Sequence, residues 1–121
     1  MKTILLVEDD PFIVDIYATE FKREGFAVEV AMDGVAALEA IKNHHPDMVL
    51  LDIILPKMDG WEFLKVLRGD AAIRHIKVMV ISNLNQQDYT REIEQFGVIK
   101  YFLKIQTTPE EIVKAVKETL T

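Results

Sequence analysis

The sequence predicts a single α/β domain with a five-stranded parallel sheet that is covered by helices on both faces. Short apolar segments alternate five times with segments that carry apolar residues at helical spacing. The apolar segments are nearly continuous, which is typical of strands that are buried on both faces. A chain of 121 residues, half of them hydrophobic, fits one domain spanning residues 1–121 with one core.

The first two strand and helix pairs have clear boundaries. We predict strand one at Thr3 to Val7, followed by a helix that Asp10 caps, Pro11 begins and Gly25 ends. Its inward face is predicted to carry Ile13, Ile16, Tyr17 and Phe21. Strand two is predicted at Ala27 to Ala31. The helix after Asp33 and Gly34 should turn Val35, Leu38 and Ile41 inward and end before Pro46.

The remaining three pairs follow the same pattern. Strand three is predicted at Met48 to Asp52, and after the loop Pro56 to Asp59 a helix from Gly60 presents Phe63, Leu64 and Leu67. Strand four is predicted at Val78 to Ile81, ending at Ser82, and a helix at Gln86 to Phe96 with Tyr89, Ile93 and Phe96 on one face. Strand five is predicted at Lys100 to Leu103. Thr108 and Glu111 form a capping box for the last helix, whose inward residues are Ile112, Val116 and Leu120.

Composition excludes several classes of function. The net charge of −6 comes from 14 basic and 20 acidic residues, and the basic residues are scattered, which argues against direct nucleic-acid binding. The absence of cysteine excludes disulfides and thiolate metal sites. No apolar stretch approaches the ~20 residues of a membrane span, and the N-terminus lacks a secretion signal pattern. We therefore expect a cytoplasmic protein that does not bind membranes.

Acidic residues follow two of the predicted strands. Glu8, Asp9 and Asp10 come directly after strand one, and Asp52 ends strand three. Carboxylates ~5 Å apart repel by about 3 kcal/mol per pair at an effective dielectric constant near 20. If strands one and three are neighbours, Glu8, Asp9 and Asp52 meet at the carboxyl edge of the sheet, where a hard divalent cation would offset their repulsion. The residues therefore predict a Mg²⁺ site, with Asp10 left as a helix cap.

Two further polar residues end strands at the same edge. Ser82 follows strand four and Lys104 follows strand five. A hydroxyl and an ammonium beside a divalent cation suit a phosphoryl group, and an aspartate can be the nucleophile that accepts one. Asp52 is the best candidate for that nucleophile, because it ends the most hydrophobic strand.

Five segments, in order, resemble the receiver domain of bacterial two-component response regulators: "LLVEDD", "PDMVLLDIILPKMDG", "VMVIS", "YFLK" and "TPEEI". The resemblance covers essentially the whole chain. It implies a flavodoxin-like (βα)5 fold with strand order 2-1-3-4-5. It also implies that the protein is a switch and not an enzyme in the usual sense, although it assists its own phosphorylation and dephosphorylation.

The resemblance also implies a role for each site residue. Asp52 would accept a phosphoryl group from a phosphohistidine of a sensor histidine kinase or phosphotransfer protein. Glu8, Asp9, Asp52 and the backbone carbonyl of Ile54 would hold Mg²⁺, and Lys104 would pair with the phosphoryl oxygens. Ser82 would move to hydrogen-bond the phosphoryl group, and Tyr101 would change rotamer with it. The surface formed by helix four, strand five and helix five would then bind a downstream effector or a second copy.

The sequence departs from the family pattern at two places. Ile105 follows Lys104 where the family usually has a proline after a cis bond, and a cis bond without proline costs ~3 to 4 kcal/mol. The direction of Lys104 therefore depends on how this loop is built. Ile54 and Leu84, two residues past Asp52 and Ser82, are apolar where family members often carry polar groups that orient an attacking water. We expect a long-lived phosphorylated state.

Other interpretations remain open from the residues. The runner-up is a Mg²⁺-dependent phosphatase with an aspartyl nucleophile, although such enzymes need a second acid where this chain has Ile54. A receiver-shaped scaffold that works without phosphorylation is another. A dinucleotide or flavin site is disfavoured, because the first turn is acidic and lacks glycines.

Several other conspicuous residues have simpler roles. Asp59 and Gly60 are interpreted as a turn and a helix start. Trp61 is predicted to be partly buried. Three histidines are predicted to be surface residues and not ligands: His44, His45 and His75.

Overall fold

The computed structural model describes all 121 residues and consists of five strands and five α-helices in alternation. The strands are β1 (Thr3–Val7), β2 (Ala27–Ala31), β3 (Met48–Leu51), β4 (Lys77–Ser82) and β5 (Tyr101–Leu103). The helices are α1 (Pro11–Arg23), α2 (Gly34–His44), α3 (Gly60–Gly69), α4 (Thr90–Gln95) and α5 (Pro109–Leu120). Two short 3-10 turns, Gln86–Tyr89 and Lys104–Gln106, precede α4 and follow β5.

All five strands are parallel and lie in the order β2-β1-β3-β4-β5, which confirms the predicted fold class and strand order. The central strands β1 and β3 are neighbours, with Val7 opposite Leu51. Their pairing continues past the strand end, because the Asp52 amide donates to the Val7 carbonyl at 2.9 Å. The residues that follow β1 and β3 therefore emerge side by side at the carboxyl edge of the sheet.

The sheet has a hydrophobic layer on each face. On one face, side chains such as Leu5 and Val49 pack against α2 and α3. On the other face, Leu6 and Leu50 pack against α1 and α5. Every residue of β1 from Ile4 onward and every residue of β3 is fully buried. Full burial of such a side chain contributes about 1.5 to 3 kcal/mol, so the two strands that end in acids are rigidly held.

Side-chain caps begin α1, α2, α3 and α5, and the caps at Asp10 and Thr108 were predicted. Asp10 accepts a hydrogen bond from the Phe12 amide at 2.9 Å and Asp59 accepts one from the Glu62 amide at 2.9 Å. Thr108 takes part in the complete capping box of α5. These local hydrogen bonds satisfy amides that the first helical turn leaves free.

The inward faces of α1 and α2 differ from the prediction at one residue each. The side chains of Ile16 and Val35 are 53% and 45% exposed. In α1 the buried stripe contains Val14 in place of Ile16. At 100° per residue, Ile16 lies about 115° from the centre of that stripe, so it points to solvent. Val35 lies similarly far from Ile41 on α2.

The fourth helix also differs from the prediction. The single helix expected from Gln86 to Phe96 is a 3-10 turn followed by a short α-helix, and the backbone changes direction at Tyr89 (φ −125°, ψ 21°). Strand three ends at Leu51, one residue before the predicted end, while β4 begins one residue earlier and β5 one residue later than predicted. None of the helices combines the length and apolar composition that a bilayer-spanning helix requires.

Candidate functional site

Three carboxylates meet at the carboxyl edge of the central strands. Glu8, Asp9 and Asp52 each place one oxygen within 4.8 Å of the others. Glu8 and Asp52 are buried, at 1% and 5% exposure, whereas Asp9 is exposed at the mouth of the site. The predicted convergence of these acids is therefore present in the structure.

The Lys104 ammonium lies between two of these acids. Its Nζ is 2.7 Å from Glu8 Oε1 and 3.0 Å from Asp52 Oδ2. Burial disfavours the charged form of Lys104, but the contacts with Glu8 and Asp52 outweigh burial and raise the pKa of Lys104 above its ordinary value. Burial raises the pKa of Glu8, an effect that repulsion from Asp52 reinforces and the Lys104 ammonium opposes. One ammonium thus serves two buried carboxylates.

The chemistry of these donors fits a hard divalent cation. The formal charges of the three carboxylates and one ammonium sum to −2. Glu8 Oε1 is buried and lies against the Lys104 ammonium, 2.7 Å away. Carboxylate oxygens are the ligands that Mg²⁺ prefers, and a charge of +2 would neutralise the cluster.

The backbone around Asp52 is tightly packed. The Ile54 amide donates to Asp52 Oδ1 at 3.3 Å. Gly60 packs beneath this segment, since a Cβ at Gly60 would lie 2.7 Å from Ile53 Cα and 3.0 Å from the Asp52 carbonyl oxygen. From the sequence, Gly60 was interpreted only as a helix start. A glycine at the first helical position, just after a predicted site loop, was the available signal for a close backbone approach.

Ser82 and Tyr101 both contact the backbone of Leu84. Ser82 is fully buried at the end of β4, and its Oγ accepts a hydrogen bond from the Leu84 amide at 3.2 Å. The Tyr101 hydroxyl donates to the Leu84 carbonyl at 2.8 Å. Burial raises the pKa of Tyr101 above its ordinary value. The predicted switch pair therefore meets at one residue of the β4–α4 connection.

An aromatic pair links the β4–α4 connection to α3. The rings of Trp61 and Tyr89 stack with centroids 5.1 Å apart and an interplanar angle of 26°. Trp61 is partly buried, as predicted, and its Nε1 has no hydrogen-bond partner. Tyr89 was predicted only to lie on a helix face, and this contact, which joins residues 28 positions apart, was not predicted.

The loop after Lys104 is where Ile105 stands in place of the proline that the family usually has. The structure contains no cis peptide bond, so the Lys104–Ile105 bond is trans, and residues 104–106 form a 3-10 turn. With this backbone, Lys104 still reaches both acids. The side chains of Ile54 and Ile105 are exposed beside the site.

The three histidines lie away from the site and are exposed, as predicted. His44 contacts Glu29 on the edge strand β2. His45 ends α2 in the left-handed conformation, with φ 49°. His75 lies in the α3–β4 connection, at the opposite end of the sheet from the acids.

Residues 4–117 match a family model described as "Response regulator receiver domain". The chain belongs to this family. Receiver domains of response regulators act as signalling switches that work with histidine kinases and effectors, and they use Mg²⁺ at an acidic pocket. In this receiver, Glu8, Asp9 and Asp52 form an acidic cluster.

Individual proteins agree with the family assignment. The receiver is 30% identical to the polar-differentiation response regulator DivK of Brucella ovis over 111 residues, which is 92% of this chain and 90% of DivK. It is 35% identical to the DNA-binding response regulator MtrA of Mycolicibacterium smegmatis, over 97% of this chain and 50% of MtrA. A crystal structure of a CheY-like receiver domain protein from Methanospirillum hungatei superimposes with a TM-score of 0.89 at 28% identity, covering 99% of this chain and 94% of that one.

Proposed function

We propose that this receiver, spanning residues 1–121, is a phosphorylation-dependent switch in which Asp52 accepts a phosphoryl group. The donor is the phosphohistidine of a sensor histidine kinase or a phosphotransfer protein. The observation that carries the proposal is the position of Asp52, held between the Lys104 ammonium at 3.0 Å and the carboxylates of Glu8 and Asp9.

The reaction transfers a phosphoryl group from a histidine nitrogen to a carboxylate oxygen of Asp52. A carboxylate oxygen of Asp52 attacks phosphorus, the P–N bond of the phosphohistidine breaks, and the imidazole leaves with the bonding electrons. Lys104 neutralises charge on the phosphoryl oxygens. Glu8, Asp9, Asp52 and the Ile54 carbonyl would hold Mg²⁺, which supplies further charge neutralisation when bound. The packing against Gly60 keeps Asp52 in place during the transfer.

The switch uses the contacts at Leu84. Ser82 Oγ hydrogen-bonds the Leu84 amide in this structure, and a phosphoryl group on Asp52 offers that hydroxyl a charged acceptor. A shift of Ser82 displaces the segment whose carbonyl Tyr101 holds. The surface formed by α4, β5 and α5 changes as a result, and an effector or a second copy binds it.

The phosphorylated state is proposed to be long-lived. The side chains two residues past Asp52 and Ser82 are Ile54 and Leu84, and neither can orient a water for attack on phosphorus. Slow hydrolysis follows, since an unoriented water seldom reaches the in-line position.

The alternative functions are supported less well. A phosphatase with an aspartyl nucleophile lacks its second acid, because Ile54 occupies that position. A scaffold that works without phosphorylation would not need an ammonium held by two buried acids. We further propose that the receiver acts in the cytoplasm and binds neither membranes nor nucleic acid directly.

The decisive experiment is incubation of the protein with a small acyl-phosphate donor and Mg²⁺, followed by intact mass measurement. The native protein should gain one phosphoryl group, and Asp52→Asn should gain none. Asp15→Asn, which removes an exposed carboxylate on α1, is the matched control and should be modified like the native protein. Absence of a mass increase in the native protein would contradict the proposal.

A further inference from the structure

A side chain from the end of β4 holds the backbone that follows Lys104. Asn83 Oδ1 accepts a hydrogen bond from the Ile105 amide at 3.1 Å. The strand register explains this contact, because Ser82 lies opposite Leu103 in the β4–β5 pair, so the residues that follow them emerge side by side. The hydrogen bond therefore joins two of the loops that form the site.

The turn after Lys104 depends on such hydrogen bonds because its side chains bury little. The Ile105 side chain is 77% exposed and Gln106 is also exposed. A second hydrogen bond, from Thr107 Oγ1 to the Leu103 carbonyl at 2.8 Å, closes the turn from its other end. Asn83 and Thr107 together restrain the backbone on both sides of the turn.

The chemistry of residues 83 and 105 is complementary. A proline at position 105 would have no N–H to donate, whereas isoleucine presents an amide donor. The amide oxygen of Asn83 supplies that acceptor without adding charge. A carboxylate at position 83 would add a negative charge beside a site that already contains three.

We infer that Asn83 is a positioning residue for phosphoryl transfer, which acts by fixing the turn that begins at Lys104 so that the ammonium reaches Asp52. The inference rests on the proposed function. Lys104 has a flexible side chain, and its contacts of 2.7 and 3.0 Å with two acids require a fixed backbone origin. Small displacements of a charge-stabilising group lower transfer rates disproportionately.

The first experiment measures the hydrogen bond itself in the full chain by amide hydrogen exchange of Ile105. Asn83→Ala should accelerate this exchange about fivefold, the factor expected for one neutral hydrogen bond. Asn83→Asp keeps an acceptor oxygen and should leave the exchange slow. Asn85→Ala is the control, since Asn85 accepts a hydrogen bond from the Gln87 amide within its own turn. Unchanged exchange in Asn83→Ala would overturn the inference.

The second experiment tests whether Asn83 acts through Lys104. Phosphorylation by a small acyl phosphate with Mg²⁺ should slow about fivefold in Asn83→Ala and remain unchanged in Asn85→Ala. In a Lys104→Met background, Asn83→Ala should cause no further loss, because the group that it positions is absent. A general structural defect would instead slow both backgrounds by the same factor, and that result would overturn the inference.

The outcomes separate this inference from the proposed function. If the native protein gains no phosphoryl group, the proposed function fails and the positioning role fails with it, even where exchange reveals the hydrogen bond. If the native protein is phosphorylated and Asn83→Ala reacts at the native rate, only the role of Asn83 is refuted.

Discussion

Replacing Lys104 by methionine tests the electrostatic design of the site without a phosphoryl donor. Methionine retains much of the apolar stem of lysine but removes the ammonium, so the change is chiefly one of charge. Glu8 and Asp52 would then face each other in a buried pocket with no counter-ion. We expect the variant to be less stable than the native protein in the absence of Mg²⁺.

The magnitude follows from the geometry. At an effective dielectric constant near 20, charges 2.7 and 3.0 Å apart attract by about 6 kcal/mol per pair, and desolvation of the three groups offsets much of this. Removing one partner of a buried ion pair typically costs about 3 to 5 kcal/mol, because the remaining charge is uncompensated. We expect about 3 kcal/mol at pH 8. The loss should be smaller at pH 5, since Glu8, whose pKa burial already raises, can take up a proton.

The assay is urea unfolding at pH 8 in the presence of EDTA or of Mg²⁺. Mg²⁺ should stabilise Lys104→Met more than the native protein, because the ammonium no longer competes with the cation for the carboxylates. Lys117→Met is the matched control. Lys117 forms an exposed pair with Glu24 at 3.4 Å, and such surface pairs contribute about 0 to 1 kcal/mol.

Two results would refute this reasoning. One is a Lys104→Met protein that unfolds in EDTA at the same urea concentration as the native protein, or at a higher one. The other is equal stabilisation of both proteins by Mg²⁺. Either would mean that the ammonium does not compensate the acids.

Three further predictions concern the same site. Because burial raises the folded-state pKa of Glu8, the contribution of Glu8 to the free energy of unfolding in EDTA should be lost as pH rises above 4.5 and through that raised pKa. Glu8→Gln should remove this component of the pH dependence in urea titrations. Gly60→Ala should destabilise the protein by about 2 kcal/mol, since its Cβ would lie 2.7 Å from Ile53 Cα. The control Gly69→Ala, with no atom within 4 Å of its Cβ, should not destabilise the protein, and equal urea midpoints for the two variants would contradict the prediction. Ile54→Asn should shorten the lifetime of the phosphorylated protein with Mg²⁺ about tenfold, because the asparagine can orient a water through one hydrogen bond. An unchanged lifetime, measured by intact mass, would refute the role proposed for Ile54.

The sequence alone determined the features that arise from local interactions. Strands β1 and β3 were predictable because four or more consecutive apolar residues have no stable place except a buried strand or helix interior. The caps at Asp10 and Thr108 were predictable because their hydrogen bonds reach only two or three residues along the chain. The clustering of strand-end acids followed from a parallel sheet, in which all carboxyl ends share one edge, once β1 and β3 were taken as neighbours.

Only the tertiary structure decided the features that depend on distant partners. Ile16 is exposed because the buried stripe of α1 centres on neighbouring positions, and helical spacing alone does not specify where a stripe ends. The change of backbone direction at Tyr89 coincides with its stacking on Trp61. The direction of Lys104 depends on a turn that Asn83 holds from another strand.

Contacts within one turn of a helix can be predicted from the sequence, because the participating side chains are close in the chain. Contacts between loops of different strands leave no such pattern, since 52 residues separate Asp52 from Lys104 and 22 separate Asn83 from Ile105. The types of residue that form the site could therefore be predicted from the sequence. Their distances, their shared ammonium and the support of each backbone segment came from the way the sheet edge brings separate loops together.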